Sequence, residues 1–435
     1  MVNAAVLAAL WSGMLASEAV APIWGSTSGL VLRSVVDVGI GLFACTFMFQ
    51  GQLRMRVLPM ATKQGWGLIA ASGVWVLGAL VARGETFDGA ALWAWFMTLI
   101  SLGLWAQSIV RLPSVDRQYL IGLASMVVGM GSIGYLLGIG AMGRPPGSDL
   151  EPVAAWPLVN PNHSGALFAS ALVLMAGLLS HRVLVLGQAA ERSQLWLLVR
   201  PGWHWLYLML AVGLVAAIVH TGSYSALLVA LGGVVLLVLS DHYASLDWVM
   251  RRAMDLVRNY SRVVVLGGLA LPLLAVLATG LSGAYRGAEV RLEIWRGTLA
   301  GLSLEPWAWV WGLGPGRFVD SYARGRQWQL PYPTQVLGPE SEWLFVIVCT
   351  GVVGCAVLLW FLLQLPWVRL FSRRMGVLSR EWSSRVALWA LVVVAAQAAV
   401  DNTLHTAPML YWAAMLASMA LRTIKDEPKS DSATN

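Results

Sequence analysis

Apolar residues run through this chain in long, nearly unbroken stretches, and polar residues fall between them in short clusters. The apolar runs lie near positions 3–24, 29–49, 66–82, 90–110, 118–141, 163–180, 203–220, 224–240, 263–280, 342–363, 386–404 and 408–422. A helix crossing a hydrocarbon core about 30 Å thick needs about 20 apolar residues, so each run predicts one spanning helix. The pattern predicts an all-α polytopic membrane protein, with about twelve transmembrane helices in a single bundle over residues 1–424. One long polar stretch, 281–341, interrupts it between the ninth and tenth helices, and a polar tail expected to be disordered follows at 425–435. Ala19-Val20-Ala21-Pro22 in the first run resembles a signal-peptidase site, yet no Lys or Arg precedes it, so an uncleaved first helix is expected.

Composition points the same way. Of 435 residues, 58% are hydrophobic and 12% charged, and a mean hydropathy of +0.69 lies outside the range of soluble domains. A net charge of +7 would suit nucleic acid, but in a membrane chain the placement of Lys and Arg says more than their sum. With a cytoplasmic N-terminus, the inner loops and the tail collect 20 of the 29 basic residues, and most of the others sit in the long stretch. The long stretch is therefore expected outside the cytoplasm and both termini inside, with no nucleic-acid partner. Cys45, Cys349 and Cys355 all fall in apolar runs and offer neither a disulfide framework nor metal-ligand spacing.

The long stretch carries the candidate chemistry. A connection of this length is functional or disordered, and its tryptophans and tyrosines favour folding. Glu289, Arg291, Glu293, Trp295 and Arg296 follow one another at helical spacing. Guanidinium forks match phosphate oxygens, so Arg291 and Arg296 are candidate anion ligands, against the alternative of intrahelical pairing with Glu289 and Glu293. Gly312-Leu313-Gly314-Pro315-Gly316 is expected to be a turn that leaves Arg317 at its far side. It lacks the preceding strand of a nucleotide-binding fingerprint. Glu340 and Glu342 precede the next apolar run, where a partly desolvated carboxylate can act as general base or favour the helix start by charge–dipole attraction.

Other polar groups fall at the same predicted face. Asn160-Pro161-Asn162-His163 opens a helix, where His163 either caps or faces the site. His220-Thr221-Gly222-Ser223-Tyr224-Ser225 forms a hairpin turn whose hydroxyls, with Tyr224, either satisfy freed backbone groups or line a sugar site. Asp401 and His405, four residues apart, can hydrogen-bond on one helical face. Arg33 and Asp37 have the same spacing and read as a structural ion pair. Neither a His-Glu-x-x-His pattern nor an aspartate cluster is present, so no metal site is expected.

Several of these segments resemble the O-antigen ligase and polymerase family of bacterial envelope glycosyltransferases. They are Asn160-Pro161-Asn162-His163, Thr221-Gly222-Ser223, Arg291 with Trp295, the Gly-x-Gly-x-Gly-x-Phe turn ending at Phe318, Glu342-Trp343-Leu344 leading into Thr350-Gly351-Val352-Val353-Gly354, and Asp401 to Pro408. The resemblance covers roughly the second half of the chain. It implies a twelve-helix C-type glycosyltransferase in the bacterial inner membrane, with the large outer loop over a cavity for an undecaprenyl-diphosphate-linked glycan donor. Two departures stand out. Ser223-Tyr224-Ser225 replaces the family's Ser-Arg-Gly, and Glu340-Ser341 replaces the His-Asn pair of many ligases, which favours a polymerase or another glycan-transferring relative over a lipid A-core ligase.

On this basis an inverting, metal-independent transfer without cofactor is expected at the outer face of the membrane. Glu340 would act as base and Arg291 would stabilise the departing diphosphate. Arg296, Arg317, His163, Glu342, Tyr224, Asp401 and His405 would line the substrates, a glycan or lipid-linked acceptor would receive the sugar, and a chain-length regulator is a possible partner beside membrane lipids. The competing reading is a transporter or flippase that uses the same arginines on a lipid-linked anion, although no internal repeat is evident. A structural subunit of an envelope complex would leave the outer arginines and glutamates unexplained.

Overall fold

The computed structural model describes residues 2–24, 39–40, 89–110, 112–138, 158, 161–188, 201–241, 285–314, 318–325, 339–363 and 378–421. All regular elements among them are helices. In chain order these are α1 (Val2–Trp24), α2 (Gly89–Val110), α3 (Ser114–Leu136), α4 (Pro161–Gln188), α5 (Pro201–His220), α6 (Tyr224–Asp241), α7 (Tyr285–Ser303), α8 (Ala308–Trp311), α9 (Phe318–Gly325), α10 (Glu342–Leu363), α11 (Leu378–Ala398) and α12 (Ala407–Leu421), with a 3₁₀ turn at Thr403–His405 before the last. The expected runs near 66–82 and 263–280, all but two residues of that near 29–49, the Arg33/Asp37 pair, Cys45 and the 425–435 tail lie outside the described residues.

Local chemistry sets the helix starts. Pro161 and Pro201 open α4 and α5 at the position where proline's missing N–H costs nothing. At the other end of α5, Gly222 takes φ +68°, the left-handed conformation that lets the chain reverse within three residues into α6. One boundary differs from expectation. The run near 386–404 predicts a helix there, whereas α11 spans Leu378–Ala398. It starts early with Arg385 buried inside the helix and not left without a partner, so a charge does not end it; it stops early because residues 399–406 form a turn.

Val115–Leu136, Asn162–Leu179 and Glu342–Leu359 are long and apolar enough to cross a membrane. On α5 Trp205, Leu208, Met209, Val212, Val215 and Val219 are exposed, an outward apolar stripe at helical spacing that inverts the pattern of a water-soluble helix.

Side chains and carbonyls of α12 tie α1, α2 and α4 together. Trp11 of α1 packs on Trp412 with ring centroids 4.8 Å apart and planes tilted by 32°, and it donates its indole N–H to the Pro408 carbonyl at 3.1 Å. Trp105 of α2 donates to the Tyr411 carbonyl at 3.0 Å, the Tyr411 hydroxyl to Ser101 at 2.6 Å, and Trp412 to Ser170 of α4 at 2.9 Å. Where lipid is the solvent, such interhelical hydrogen bonds and close packing hold helices together in place of the hydrophobic effect. Small residues supply the packing, as at Gly177, where a Cβ would lie 2.4 Å from Val386 of α11.

The stretch between α6 and α10 is folded where it is described. Ile294, Leu302, Ala308, Leu313, Phe318, Tyr322 and Val348 form a second, smaller core that joins α7–α9 to α10. The expected glycine turn is a docking device. Gly312 and Gly314 take φ +76° and +83°, and the N–H groups of Leu313 and Gly314 donate to the Val348 and Cys349 carbonyls at 2.6 and 3.1 Å. Those carbonyls lie just before a break in α10 at Gly351, whose φ of +64° leaves the helical path. A Cβ on Gly351 would lie 2.2 Å from the Val310 carbonyl oxygen, and one on Gly312 would lie 2.3 Å from the Cys349 carbonyl, so both positions require glycine.

Candidate functional site

The turn at residues 399–406 joins α11 to α12, and α4 and α10 begin beside it. Its first acid, Asp401, is completely buried. One Asp401 oxygen accepts the backbone N–H of Asn402 at 2.8 Å and lies 3.7 Å from Nε2 of His163 in the first turn of α4. The other oxygen is buried with no hydrogen-bond partner among the described residues.

Asn402 reaches across to the residues before α10, where its Oδ1 accepts the backbone N–H of Ser341 at 2.9 Å. Ser341 in turn caps α10, its hydroxyl accepting from Leu344 N–H at 3.4 Å and its carbonyl from Phe345 N–H at 2.9 Å. This doubly tied corner holds the preceding residue, Glu340, at φ +50°. A left-handed non-glycine residue costs about 1–3 kcal/mol and persists only where its surroundings enforce it.

Glu340 meets three charged or ionisable groups from separate elements. Burial pushes its carboxyl above the ordinary carboxylate range, and the negative charge of Asp401 adds to the rise. Arg291 of α7 and His163 of α4 pull it back in part. The result is an acid–base group beside an imidazole–carboxylate pair and a guanidinium, the set of groups that proton transfer coupled to anion stabilisation calls for. Glu342 opens α10 on the same side, and the backbone N–H of Leu404 donates to its carboxylate.

Of the residues expected to form the site, the structure thus gathers Glu340, Arg291, His163, Asp401 and Glu342. Arg291 is half-buried on α7, and among the described residues it makes no ion pair within hydrogen-bonding reach. The intrahelical pairing weighed for both arginines holds for Arg296, which binds Glu293 at 2.6 Å with its side chain 74% exposed. Arg317 lies outside the described residues, as do the side chains of Tyr224 and His405.

One expected placement is corrected. Asp401 and His405 do not lie on one α-helical face, because α11 ends at Ala398 and His405 belongs to a 3₁₀ turn. Among the described side chains, Asp401 meets the imidazole of His163.

The hairpin turn flanks this region. Thr221 donates to the Ile218 carbonyl at 2.6 Å and accepts from Ser223 N–H at 3.2 Å, satisfying backbone as one of its two expected readings holds. Ser223 and Ser225 lie 3.2 Å apart, and Gln397 of α11 donates to Ser225 at 3.0 Å. A Cβ on Gly165, two residues beyond His163, would sit 3.0 Å from Ala226, which packs the turn against the start of α4.

Sequence reasoning passed over Gln397, Asn402 and Ser341. Gln397 had a readable signal, a lone amide in an otherwise apolar run. Asn402 and Ser341 had none, since what marks them is contact with each other. Among the described residues no three His, Cys, Asp or Glu side chains are grouped to hold a metal ion. In comparisons with known proteins, the chain matches no protein-family model and no curated sequence.

Proposed function

We propose that this protein is a C-type glycosyltransferase. It would transfer or polymerise a glycan carried on undecaprenyl diphosphate at the outer face of the bacterial inner membrane, within a bundle of about twelve spanning helices whose termini are cytoplasmic. The observation that carries this reading is the placement of Glu340. A half-buried carboxyl with a raised pKa lies within electrostatic reach of Asp401, Arg291 and His163, and His163 and Asp401 are themselves 3.7 Å apart. In the proposed reaction an acceptor hydroxyl gives its proton to the Glu340 carboxylate while its oxygen attacks the anomeric carbon. The bond to the diphosphate breaks with inversion, and Arg291 stabilises the charge that develops on the leaving oxygen. The resemblance of the segments around His163, Arg291 and Glu342 to the O-antigen ligase and polymerase family supports the same choice of donor.

The test is product formation by the purified full chain with a synthetic undecaprenyl-diphosphate glycan. Loss of product in Glu340→Gln with retained donor binding supports the reading, and undiminished turnover removes it. The broken helix α10 favours a second reading, transport of a lipid-linked anion, because discontinuous helices recur in transporters. Translocation of a labelled lipid-linked glycan in sealed vesicles, without a new glycosidic bond, would select transport.

A further inference from the structure

We infer that the segment Pro306–Trp311 is a re-entrant element, seated in the lipid of the membrane leaflet nearest Glu340 with Trp309 and Val310 against acyl chains. The first observation is depth. The starts of α4, α10 and α12 and the end of α11 are gathered at the 399–406 turn by the contacts His163–Asp401, Ser341–Asn402 and Glu342–Leu404. Glu342 therefore marks the level at which the helices leave the bilayer. Glu342–Leu359, the part of α10 long and apolar enough to cross a membrane, begins at Glu342, so the hydrocarbon core begins near that residue. Gly351 lies nine residues further along, about 13 Å below that level. The backbone of Val310 and Trp311 lies directly against Gly351, so α8 sits at the depth of the hydrocarbon.

The second observation is independent of depth. Every backbone N–H from Ala308 to Gly314 has an internal acceptor: Glu305 for Ala308 at 2.8 Å, Pro306 for Trp309 at 3.3 Å, Trp307 for Val310 and Trp311 at 3.1 Å, Ala308 for Gly312 at 2.8 Å, and Val348 and Cys349 of α10 for the last two. A loop in water has no need of such completeness, whereas irregular backbone at membrane depth requires it. The third is the outward surface. Trp309 is 36% exposed and Val310 46%, and they continue the apolar face on which Val352 of α10 is 59% exposed. Glu305, bound to Arg324, precedes the segment on the side toward the headgroups.

The experiment uses the full chain in lipid nanodiscs, with Cys45, Cys349 and Cys355 replaced by Ala and a spin label attached at Trp309→Cys or Val310→Cys. Collisions with oxygen and with a water-soluble nickel complex are compared with those at Val235→Cys, on the exposed apolar face of α6, and at Glu289→Cys, exposed on α7. The expected result at both positions is accessibility to oxygen several-fold above that to nickel, matching residue 235. Nickel accessibility matching residue 289 at either position overturns the inference. Both side chains are partly exposed, and each position replaces the other if its variant fails to elute as folded protein, read against the same two references. The readout does not involve sugar transfer, so it stands or falls apart from the proposed reaction.

Discussion

Asn402 accepts the backbone N–H of Ser341 through its side-chain oxygen at 2.9 Å, across 61 residues of sequence. That bond joins the turn carrying Asp401 to the corner carrying Glu340, so the two acids are held at a fixed separation by backbone rather than by their own side chains. Asn402→Ala leaves the buried Ser341 amide unpaired, which costs about 1–3 kcal/mol. Because misplacing a reacting group by about 1 Å can cost about 100-fold, kcat is expected to fall by about 10- to 100-fold while KM for the donor changes little. Steady-state kinetics of the variant check this, and a rise in KM with unchanged kcat would place Asn402 in donor binding instead.

Glu340 sits at φ +50°, which gives two substitutions opposite signatures. Glu340→Gln keeps the strained backbone and removes the base, so kcat should fall by about 100-fold or more. Glu340→Gly removes the base and the strain together. It should be inactive yet more stable than Glu340→Gln by about 1 kcal/mol, as read from paired thermal unfolding curves in detergent.

The raised pKa of Glu340 ties stability and activity to pH with opposite signs. Its folded-state pKa lies above the value in the unfolded chain, so the folded protein holds a proton that the unfolded one releases. The stabilisation is fully present below the ordinary glutamate value of 4.5 and is lost as pH rises through the folded pKa. Transfer needs the deprotonated base and rises over the same interval. Stability and turnover measured over a pH series should therefore cross, and Glu340→Gln should flatten the contribution to stability.

Arg291→Lys keeps the charge and loses the planar fork. Transfer should fall at least tenfold, while Arg324→Lys, at a solvent-exposed pair with Glu305, should alter stability by no more than about 1 kcal/mol and leave turnover near normal. Equal activity in wild type and Arg291→Lys would rule out a bidentate role.

Gly351→Ala tests the break in α10. The methyl group would collide with the Val310 carbonyl at a left-handed backbone position, so a loss of about 2–5 kcal/mol is expected from strain and overpacking together. Limited proteolysis between α7 and α9 should become faster in the variant.

Much of the helical frame was legible because an apolar run with a proline at its head has few other ways to satisfy its backbone. The site was legible by parts. Glu340, Arg291 and His163 could be named from their types and flanks, but the partner of Asp401 could not. Helical spacing pointed to His405, four residues away; among the described side chains the structure brings up His163, 238 residues away in sequence. Spacing reports neighbours only along one helix, and α11 ends before Asp401. Gly351 was hidden for a related reason. Inside an apolar run a glycine reads as a packing residue, and its left-handed conformation depends on the 312–314 turn, which a local reading of the run does not include.

The indole of Trp11 waits for an acceptor, the Pro408 carbonyl, that lies 397 residues further along the chain. At about 5–20 residues per second of synthesis, roughly 20–80 s separate the two. The same holds for Trp105 and the Tyr411 carbonyl, 306 residues apart. The earliest helices must therefore dwell in the bilayer with their anchoring groups unmatched, and only the arrival of α12 closes the bundle. An insertion chaperone that shields α1 and α2 would find its substrate during that interval, and a ribosome stalled before residue 407 would leave behind a chain that is inserted but unassembled.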